Sequence, residues 1–400
     1  MEILMFGWEF PPMKSGGLGT ACYDLCKGLF KQGTKVTFVV PRLPKTIKSN
    51  FVKLLGANQY AKLTEVDSIL TPYMTSNQYL DVYDNLDVAT KQNYGKNLLA
   101  EVKRYTQAAI KITENENFDI IHVHDWMTYE AGQIAKEKSG KSLVAHIHAT
   151  EFDRTGGNPN MEISHKEYLG LNAADMIIAN SEYTKDNVIK NYKVDADKLR
   201  VVHWGIAEDS PSYHLNAESP FKDSKVVLFL GRVTIQKGPD YFVDMAEKVK
   251  KYVPNVKFVF AGDGDMFPKI VDQVMERDLA ENFVFTGFLR GEDVHKAFQM
   301  ADLYAMPSVS EPFGLVALES IKNGTPVLLS KQSGVAEVLT NAFKVNFWDV
   351  DEMANKIVSF LNHPALSHDL KANTIEEAKG FNLDDPAKKC LDCYDEVKKW

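Results

Sequence analysis

The sequence predicts an α/β protein built from two doubly wound domains that face each other across a cleft. A chain of 400 residues is longer than one core usually sustains, so two domains of about 200 residues are expected. Short apolar strand patterns alternate with helical patterns in both halves, which is typical of parallel sheets covered by helices. Residues 208–223 carry three Ser and two Pro and have the composition of a linker.

Composition excludes several classes of function. Hydrophobic residues make up 44% and charged residues 25% of the chain, as in ordinary globular proteins. The net charge of −8 argues against nucleic-acid binding, which needs clustered Lys and Arg. No apolar run approaches the ~18 residues of a membrane span, and the first residues lack the features of a signal peptide. We therefore expect a cytoplasmic protein.

The chain opens with a strand, a glycine-rich turn, a helix and a second strand. The strands are predicted at 3–7 and 35–40, and the helix at 20–31. The turn includes Gly16, Gly17 and Gly19 and follows the carboxyl end of the first strand, where open α/β sheets bind ligands. Glycine lets a phosphate approach backbone amides closely, although an ordinary tight turn would also explain the pattern. The spacing differs from the dinucleotide-binding fingerprint.

Two later strands of the first half end in polar residues. Residues 45–92 form a polar excursion before a helix at 94–114, and strands follow at 118–126 and 142–154. Asp125 and Trp126 end the first of these two strands, and alternation places His146 and His148 on the same side of the second. A lone buried histidine is usually a core residue, but this concentration of polar groups indicates a site. Two more strands are predicted at 176–179 and 199–202.

The second half repeats the same alternation. Strands are predicted at 226–230, 256–261, 283–286, 303–306 and 327–330, with helices at 239–250, from 266, at 292–300, at 314–323 and towards the C-terminus.

The loop and helix after 303–306 carry the strongest functional signal. Glu311 lies in the loop, Glu319 lies in the helix, and the first helical amides, Phe313 to Val316, have no intrahelical acceptors. Carboxylates can accept hydrogen bonds from sugar hydroxyl groups, and the neighbouring helix amides can bind a phosphate. The combination predicts a nucleotide-sugar site. Acidic residues near a helix start are also common for dipole reasons alone.

A second turn supplies positive charge. Strand 226–230 is followed by Arg232 and Lys237, which flank a turn before a helix. A diphosphate leaving group gains negative charge as its bond to the sugar breaks, and two fixed cations would neutralise it. The alternative is a pair of solvated surface charges.

Metal sites are not expected. Cys22, Cys26, Cys390 and Cys393 lie in two helical patterns and could in principle bind zinc, but buried free cysteines are more common. The Asp263–Asp265 pair has the form of a turn with Asp265 as a helix cap, and the pair Asp349 and Asp351 resembles a helix start.

Taken together, these segments resemble the retaining GT-B glycosyltransferases of the glycogen and starch synthase group and its family-4 relatives. The motifs are Lys14-Ser-Gly-Gly-Leu-Gly, His122-Val-His-Asp-Trp, His148, Gly231-Arg232 with Lys237-Gly, Ala-Gly-Asp-Gly at 261–264, and Glu311-Pro-Phe-Gly-Leu with Glu319. They occur in the family's order over nearly the whole chain.

The resemblance implies an arrangement of domains and a mechanism. It implies an N-terminal Rossmann-like acceptor domain at 1–212, a nucleotide-sugar domain at 213–384, and a final helix at 385–400 that crosses back onto the first domain. It also implies transfer with retention of anomeric configuration and with no metal or other cofactor. Trp400 would then be packed rather than catalytic.

The resemblance also assigns roles to residues. Arg232 and Lys237 would bind the donor diphosphate with help from the Gly17 amide, and Glu311 would hold sugar hydroxyls beside the amides of Phe313, Gly314 and Leu315. Glu319 would hold the ribose diol, and His148 would orient the sugar. Asp125 and Trp126 would lie on the acceptor side, where an aromatic face can stack on a sugar ring. We expect a front-face displacement, because no carboxylate is placed as a covalent nucleophile.

The motifs near the N-terminus favour glucosyl transfer to an α-1,4-glucan from UDP-glucose or ADP-glucose. One departure from the family pattern is His203-Trp204-Gly205, where an Asn usually precedes the Gly. The alternatives are a family-4 transferase with another donor and acceptor, such as a mannosyl or a sucrose- or trehalose-type enzyme, a nucleotide-sugar epimerase on the same fold, and a degenerate binding module. The sequence leaves the oligomeric state open.

Overall fold

A computed structural model describes residues 1–12, 16–44, 47–60, 98–207, 220–221 and 223–398. The chain forms two compact units. Unit 1 contains Met1–Glu151, Pro159–Trp204 and Leu383–Trp400, and unit 2 contains Phe152–Asn158 and Gly205–Asn382. Lys14, Trp400, most of the predicted excursion and most of the predicted linker lie outside the described residues. The predicted domain boundary at 212 falls there too and stays a prediction.

Unit 1 is built on a sheet of seven parallel strands. In spatial order they run β3-β2-β1-β4-β5-β6-β7. The strands are β1 (Glu2–Phe6), β2 (Lys35–Val40), β3 (Lys53–Gly56), β4 (Ile120–His124), β5 (Leu143–Ile147), β6 (Met176–Ala179) and β7 (Leu199–Val201). The central strands are buried along their whole length, as expected for a sheet covered on both faces.

Helices cover both faces of this sheet. They are α1 (Gly17–Lys31), α2 (Leu98–Asn115), α3 (Trp126–Ser139), α5 (Met161–Ala173), α6 (Glu182–Tyr192) and, from the end of the chain, the C-terminal helix (Asp384–Val397). The short helix α4 (Glu151–Arg154) has its last three residues in a segment of unit 2. Local signals fix several ends: Ser181 caps α6 through the Thr184 amide, and Gly140 ends α3 in the left-handed conformation.

Unit 2 is built on six parallel strands in the order β10-β9-β8-β11-β12-β13. These strands are β8 (Val226–Leu230), β9 (Lys257–Ala261), β10 (Phe283–Gly287), β11 (Leu303–Met306), β12 (Val327–Ser330) and β13 (Phe343–Val345). The helices are α7 (Pro239–Lys250), α8 (Phe267–Glu276), α9 (Glu292–Gln299), α10 (Leu315–Lys322), α11 (Val350–Asn362) and α12 (Pro364–Ala378). A core of Phe, Val and Ile from both layers lies between sheet and helices.

The predicted α/β architecture of doubly wound parallel sheets is confirmed, with local differences. The strand expected to run to Trp126 ends at His124, because Trp126 is the first residue of a helix. The strand expected to run to Arg154 ends at Ile147, because Glu151–Arg154 form a short helix. Helix α8 begins after Met266 rather than after a capping Asp265, whereas Asp349 does cap α11 through the Glu352 amide. The sequence patterns missed the short strands Lys53–Gly56 and Phe343–Val345.

Each sheet reverses its strand order once, and this reversal locates a ligand crevice. The reversal lies between β1 and β4 in unit 1 and between β8 and β11 in unit 2. Loops that leave the carboxyl ends of these strand pairs diverge to opposite faces and leave a crevice where open α/β sheets bind ligands. In the part of the chain that the structure describes, no helix is both long and apolar enough to span a membrane.

Candidate functional site

The crevice of unit 2 brings three of the predicted residues into neighbouring loops. Arg232 and Lys237 lie in the loop after β8, and Glu311 lies in the loop after β11. The Lys237 ammonium donates a hydrogen bond to Glu311 Oε2, and both side chains are largely buried. Ser308 Oγ lies 3.3 Å from the same carboxylate oxygen. The crevice therefore holds an ammonium group and a carboxylate in direct contact.

Backbone pairing fixes the Glu311 loop. The Glu311 amide donates to the Gln332 carbonyl at 2.9 Å, and the Glu311 carbonyl accepts from the Gly334 amide at 2.9 Å. Together they form an isolated parallel bridge between Glu311 and Ser333. The loop after β11 is therefore held by the loop after β12, and the carboxylate has a defined position.

Two glycines allow the loops to approach one another. Gly238 has φ of +62°, and a Cβ atom there would lie 2.2 Å from the Pro307 carbonyl oxygen. Gly314 has φ of +110°, and its Cβ would lie 3.1 to 3.2 Å from side-chain atoms of Val335, Glu311 and Met306. A side chain at either position would be strained and would separate the loops.

Arg232 is held by a residue that sequence reasoning missed. Its guanidinium donates to Gln236 Oε1 at 2.9 Å, and Gln236 is only 3% exposed. The Gln236 carbonyl in turn accepts the Val309 amide at 2.9 Å, so one buried residue links the Arg232 loop to the Glu311 loop. A polar residue between two cations in a predicted turn was the available signal.

The helix after the Glu311 loop begins one residue later than predicted. Gly314 is the N-cap and Leu315 the first helical residue of α10. First-turn amides of a helix lack acceptors within it and carry partial positive charge. Phe313 is buried, whereas Leu315 and Glu319 are half-buried. Burial, followed by the negative charges of Glu311 and Glu319, raises the pKa of Tyr304 in β11.

A further polar contact in unit 2 involves the segment Phe152–Asn158. Ser310, next to Glu311, donates its hydroxyl to Asp153 Oδ1 at 2.6 Å, and both residues are buried. No sequence pattern pairs these two residues, which lie 157 positions apart. Asp153 is therefore a further anchor of the Glu311 loop.

In unit 1, the crevice brings His148 and Asp125 together. The Asp125 carboxylate accepts the His148 main-chain amide at 2.7 Å. Asp125 has φ of 58° and ψ of 172°, a conformation that residues with side chains rarely adopt and that occurs most often at functional sites. This hydrogen bond joins the two predicted residues, which follow the neighbouring strands β4 and β5.

A stack of aromatic rings lies behind His148. Four histidines project from the same face of the sheet. His122 and His124 are two residues apart in β4 and therefore share a face, as do His146 and His148 in and after β5, and His124 is the register partner of His146. Their rings lie 4.4 to 5.4 Å apart between centroids. Trp204 stacks on His146 at 5.0 Å and on His148 at 5.2 Å. We call His122, His124, His146, His148 and Trp204 the imidazole stack.

The histidines of the imidazole stack are neutral. Burial lowers the pKa of His124 to about 3, and burial with the neighbouring imidazoles lowers the pKa of His122, His146 and His148 well below the usual value. Hydrogen bonds join His122 Nδ1 to the Tyr394 hydroxyl and His124 Nδ1 to His148 Nε2 at 2.9 Å. Each ring therefore carries one proton and one lone pair near pH 7.

Among the described residues, two groups have the composition of a metal site. They are His122 with His124 and His146, and Cys22 with His124 and His148, with ligand atoms within 4.8 Å of one another. The three rings of the first group are within 24° to 29° of parallel, so their lone pairs run side by side rather than converge. In the second group, the two facing histidine nitrogens already share a hydrogen bond.

The glycine turn of unit 1 contains a carboxylate that sequence reasoning missed. Glu9 is 4% exposed, and its Oε2 accepts the Gly16 amide at 2.7 Å. Gly17 is exposed at the first position of α1, and nothing lies within 4 Å of the place where a Cβ would be. The phosphate contact of the Gly17 amide stays a prediction.

Trp126 is buried, whereas its predicted role in stacking on a sugar needs an exposed ring. Its side chain is only 2% exposed, at the first position of α3. The acceptor role of Trp126 stays a prediction, and it would require the ring to become accessible. The four cysteines are buried and free, and burial raises the pKa of each thiol.

Comparisons with known proteins identify the family. The model "Glycosyltransferase Family 4" matches residues 15–210, and "Glycosyl transferases group 1" matches residues 214–377. An uncharacterised glycosyltransferase of Methanocaldococcus jannaschii is 30% identical over 353 residues, which cover 85% of this chain and 83% of that protein. The chain belongs to the group 1 glycosyltransferases. The predicted resemblance is confirmed.

The chain is also similar to a second relative and, in fold, to solved structures. A glycogen synthase of Mycobacterium tuberculosis is 24% identical over 381 residues, which cover 91% of this chain and 87% of that protein. Sucrose-phosphate synthase from Thermosynechococcus elongatus has a TM-score of 0.78 at 18% identity, covering 99% and 98% of the two chains. Anabaena HepE in complex with UDP-glucose has a TM-score of 0.67 at 18% identity, covering 99% and 100%. The predicted GT-B fold is confirmed.

Proposed function

We propose that this glycosyltransferase moves a hexosyl group, glucosyl in the first instance, from a nucleoside-diphosphate sugar to a glycan acceptor with retention of configuration and without a metal ion. The acceptor we favour is an α-1,4-glucan. The single observation that carries the proposal is the contact of Lys237 with Glu311 at the strand-order reversal of unit 2.

Charge chemistry connects that contact to a nucleotide sugar. A diphosphate needs cations and amide donors, which Lys237, Arg232 and the first turn of α10 supply. Sugar hydroxyls need carboxylate acceptors, which Glu311 supplies. Glu319, one turn into α10, is suited to the two hydroxyls of the ribose. When the donor binds, its phosphate competes for Lys237 and releases Glu311 to the sugar.

The reaction that we infer is a front-face displacement. The bond between the anomeric carbon and the phosphate oxygen breaks, and its electron pair stays on the diphosphate. The acceptor hydroxyl oxygen bonds to the anomeric carbon from the same face, and its proton passes to the departing phosphate oxygen. Arg232, Lys237 and the Gly17 amide stabilise the charge on the diphosphate, His148 orients the sugar, and Asp125 and Trp126 contribute to the acceptor side.

The relatives support the choice of substrates. The glycogen synthase of M. tuberculosis and the UDP-glucose complex of HepE both favour a glucosyl donor. The name of the sucrose-phosphate synthase favours a small sugar phosphate as an alternative acceptor.

The test is a donor-by-acceptor assay. The protein is incubated with UDP-glucose or ADP-glucose and malto-oligosaccharide, with EDTA or with Mg²⁺, and nucleoside diphosphate release and chain length are measured. We expect acceptor-dependent release that EDTA leaves unchanged, with an α-linked product by ¹H NMR. Release only with Mg²⁺, a β-linked product, or an epimerised donor without glycoside would contradict the proposal.

A further inference from the structure

His148 is held on four sides within unit 1. Its Nε2 lies 2.9 Å from His124 Nδ1, its main-chain amide donates to Asp125, and its main-chain carbonyl accepts from Asn180 Nδ2 at 2.9 Å. The indole of Trp204 stacks on its ring at 5.2 Å with an angle of 20°. Since Nε2 is bonded to His124, Nδ1 is the ring nitrogen that remains for a ligand.

The surroundings of His124 determine which nitrogen of His148 carries the proton. His124 is neutral, and its Nε2 is buried with no hydrogen-bond partner. A proton on that nitrogen would be a buried, unpaired N–H, and such donors are rarer in folded proteins than unpaired acceptors. The His124 proton therefore belongs on Nδ1, where it is donated to His148 Nε2. A neutral His148 that accepts at Nε2 must carry its own proton on Nδ1.

We propose that His124 and Trp204 are positioning residues that fix His148 as an Nδ1–H donor for a hydroxyl oxygen of the transferred sugar. The contact with sugar rests on the proposed function, whereas the tautomer does not. In this state His148 donates a hydrogen bond and does not act as a base. Deprotonation of the acceptor is then left to the phosphate oxygen.

Trp204 supplies the orientation of the ring. It is 5% exposed, and its indole lies within 2° of parallel to His146 and within 20° of parallel to His148. A stacked face restricts rotation of the His148 ring and keeps Nε2 in line with His124.

The first experiment measures the tautomer directly. The protein is labelled with ¹⁵N-histidine, the His148 ring signals are assigned with a His148→Asn variant, and long-range ¹H–¹⁵N spectra are recorded at pH 7.5 without substrate. We expect a neutral His148 protonated on Nδ1. A proton on Nε2, or a charged ring, would overturn the proposal whether or not the protein transfers glucose.

The second experiment uses paired variants. Asn at position 124 keeps an N–H near the place of Nδ1, whereas Leu removes it. We therefore expect His124→Leu to lose the Nδ1–H signature of His148 and to lower kcat/KM for the donor about tenfold, with acceptor KM unchanged. His124→Asn should recover most of both effects, and Trp204→Phe should lose less than Trp204→Ala.

The exposed His368 provides a matched control, since His368→Leu should change neither readout. Melting temperatures identify variants that fail to fold. The tautomer of His148 in the wild-type protein tests the proposal without any variant. Equal losses for His124→Asn and His124→Leu would overturn the role of His124. A variant in which the His148 tautomer changes while kcat/KM for the donor stays the same would overturn the proposed contact between His148 and the sugar.

Discussion

Lys237 donates a hydrogen bond to the Glu311 carboxylate across two loops of unit 2. Both side chains are largely buried, so each neutralises a charge that would otherwise be poorly solvated. A donor diphosphate would offer Lys237 a second anionic partner. The pair therefore combines a role in the stability of the unit with a proposed role in donor binding.

Removing one or both partners separates these two roles. We expect Lys237→Ala to lower kcat/KM at least about 100-fold, because a cation facing the leaving group is lost, and to lower the melting temperature. The double variant Lys237→Met with Glu311→Gln should recover stability but not activity. Nucleotide release and thermal unfolding are measured, with the exposed Lys251→Ala as control. Recovery of activity in the double variant would show that Lys237 and Glu311 stabilise the unit and do not bind the donor.

The close approach of two loops at Gly238 predicts a strong effect of a single methyl group. A Cβ at Gly238 would lie 2.2 Å from the Pro307 carbonyl oxygen, whereas Gly287, at a similar φ of +69°, has nothing within 4 Å. We expect Gly287→Ala to cost about 1–2 kcal/mol of unfolding free energy from backbone strain. Gly238→Ala should cost more and should weaken donor binding. Denaturant unfolding and donor titration test this, and equal costs would contradict it.

The neutral imidazole stack predicts acid sensitivity. The pKa of each stacked histidine is lowered in the folded state, so below about pH 6.5 the unfolded chain binds protons that the folded chain does not. Stability from this source is fully present above pH 6.5 and falls as the pH decreases. Both ring nitrogens of His146 are buried without a partner, which makes it the clearest residue to replace.

We expect His146→Leu to remove one of the protons that the unfolded chain binds and the folded chain does not. The difference in unfolding free energy between the variant and the wild type should shift by about 2 kcal/mol in favour of the variant between pH 7.5 and pH 5. This value corresponds to one proton over the roughly 1.5 pH units below the usual pKa of histidine. Urea unfolding at both pH values measures this difference. An equal difference between the two proteins at both pH values would contradict this, because it would show that His146 has the same pKa in the folded and the unfolded chain.

The Ser310–Asp153 hydrogen bond predicts a contribution to the Glu311 loop. Ser310→Ala leaves a buried carboxylate oxygen without that donor, and we expect a loss of about 1–3 kcal/mol in unfolding free energy. Ser310→Thr keeps the hydroxyl and should lose less. If donor KM rises for Ala but not for Thr, the contact also positions Glu311. An Ala variant as stable as the wild type would contradict the contact.

Much of the fold and part of the site could be predicted from the sequence, because strand patterns and glycine turns are local signals. They placed Arg232, Lys237 and Glu311 in loops after strands, and strand order then makes two of those loops neighbours. The partners of these residues could not be predicted in the same way. The Ser310–Asp153 and Val309–Gln236 hydrogen bonds join distant parts of the chain, and only the tertiary structure creates them. Trp126 shows the reverse case, since an aromatic residue suited to sugar stacking is almost fully covered.

The order in which the chain contributes to unit 1 has a consequence for biosynthesis. The last helix, Asp384–Val397, belongs to this unit and brings Tyr394 to the ring of His122. While the ribosome is still making unit 2, a nascent unit 1 lacks its final layer and its histidine face stays uncovered. A truncated product that stops at Trp204 would therefore lack the hydrogen-bond partner of His122 Nδ1, and the first unit to be translated is the last to be finished.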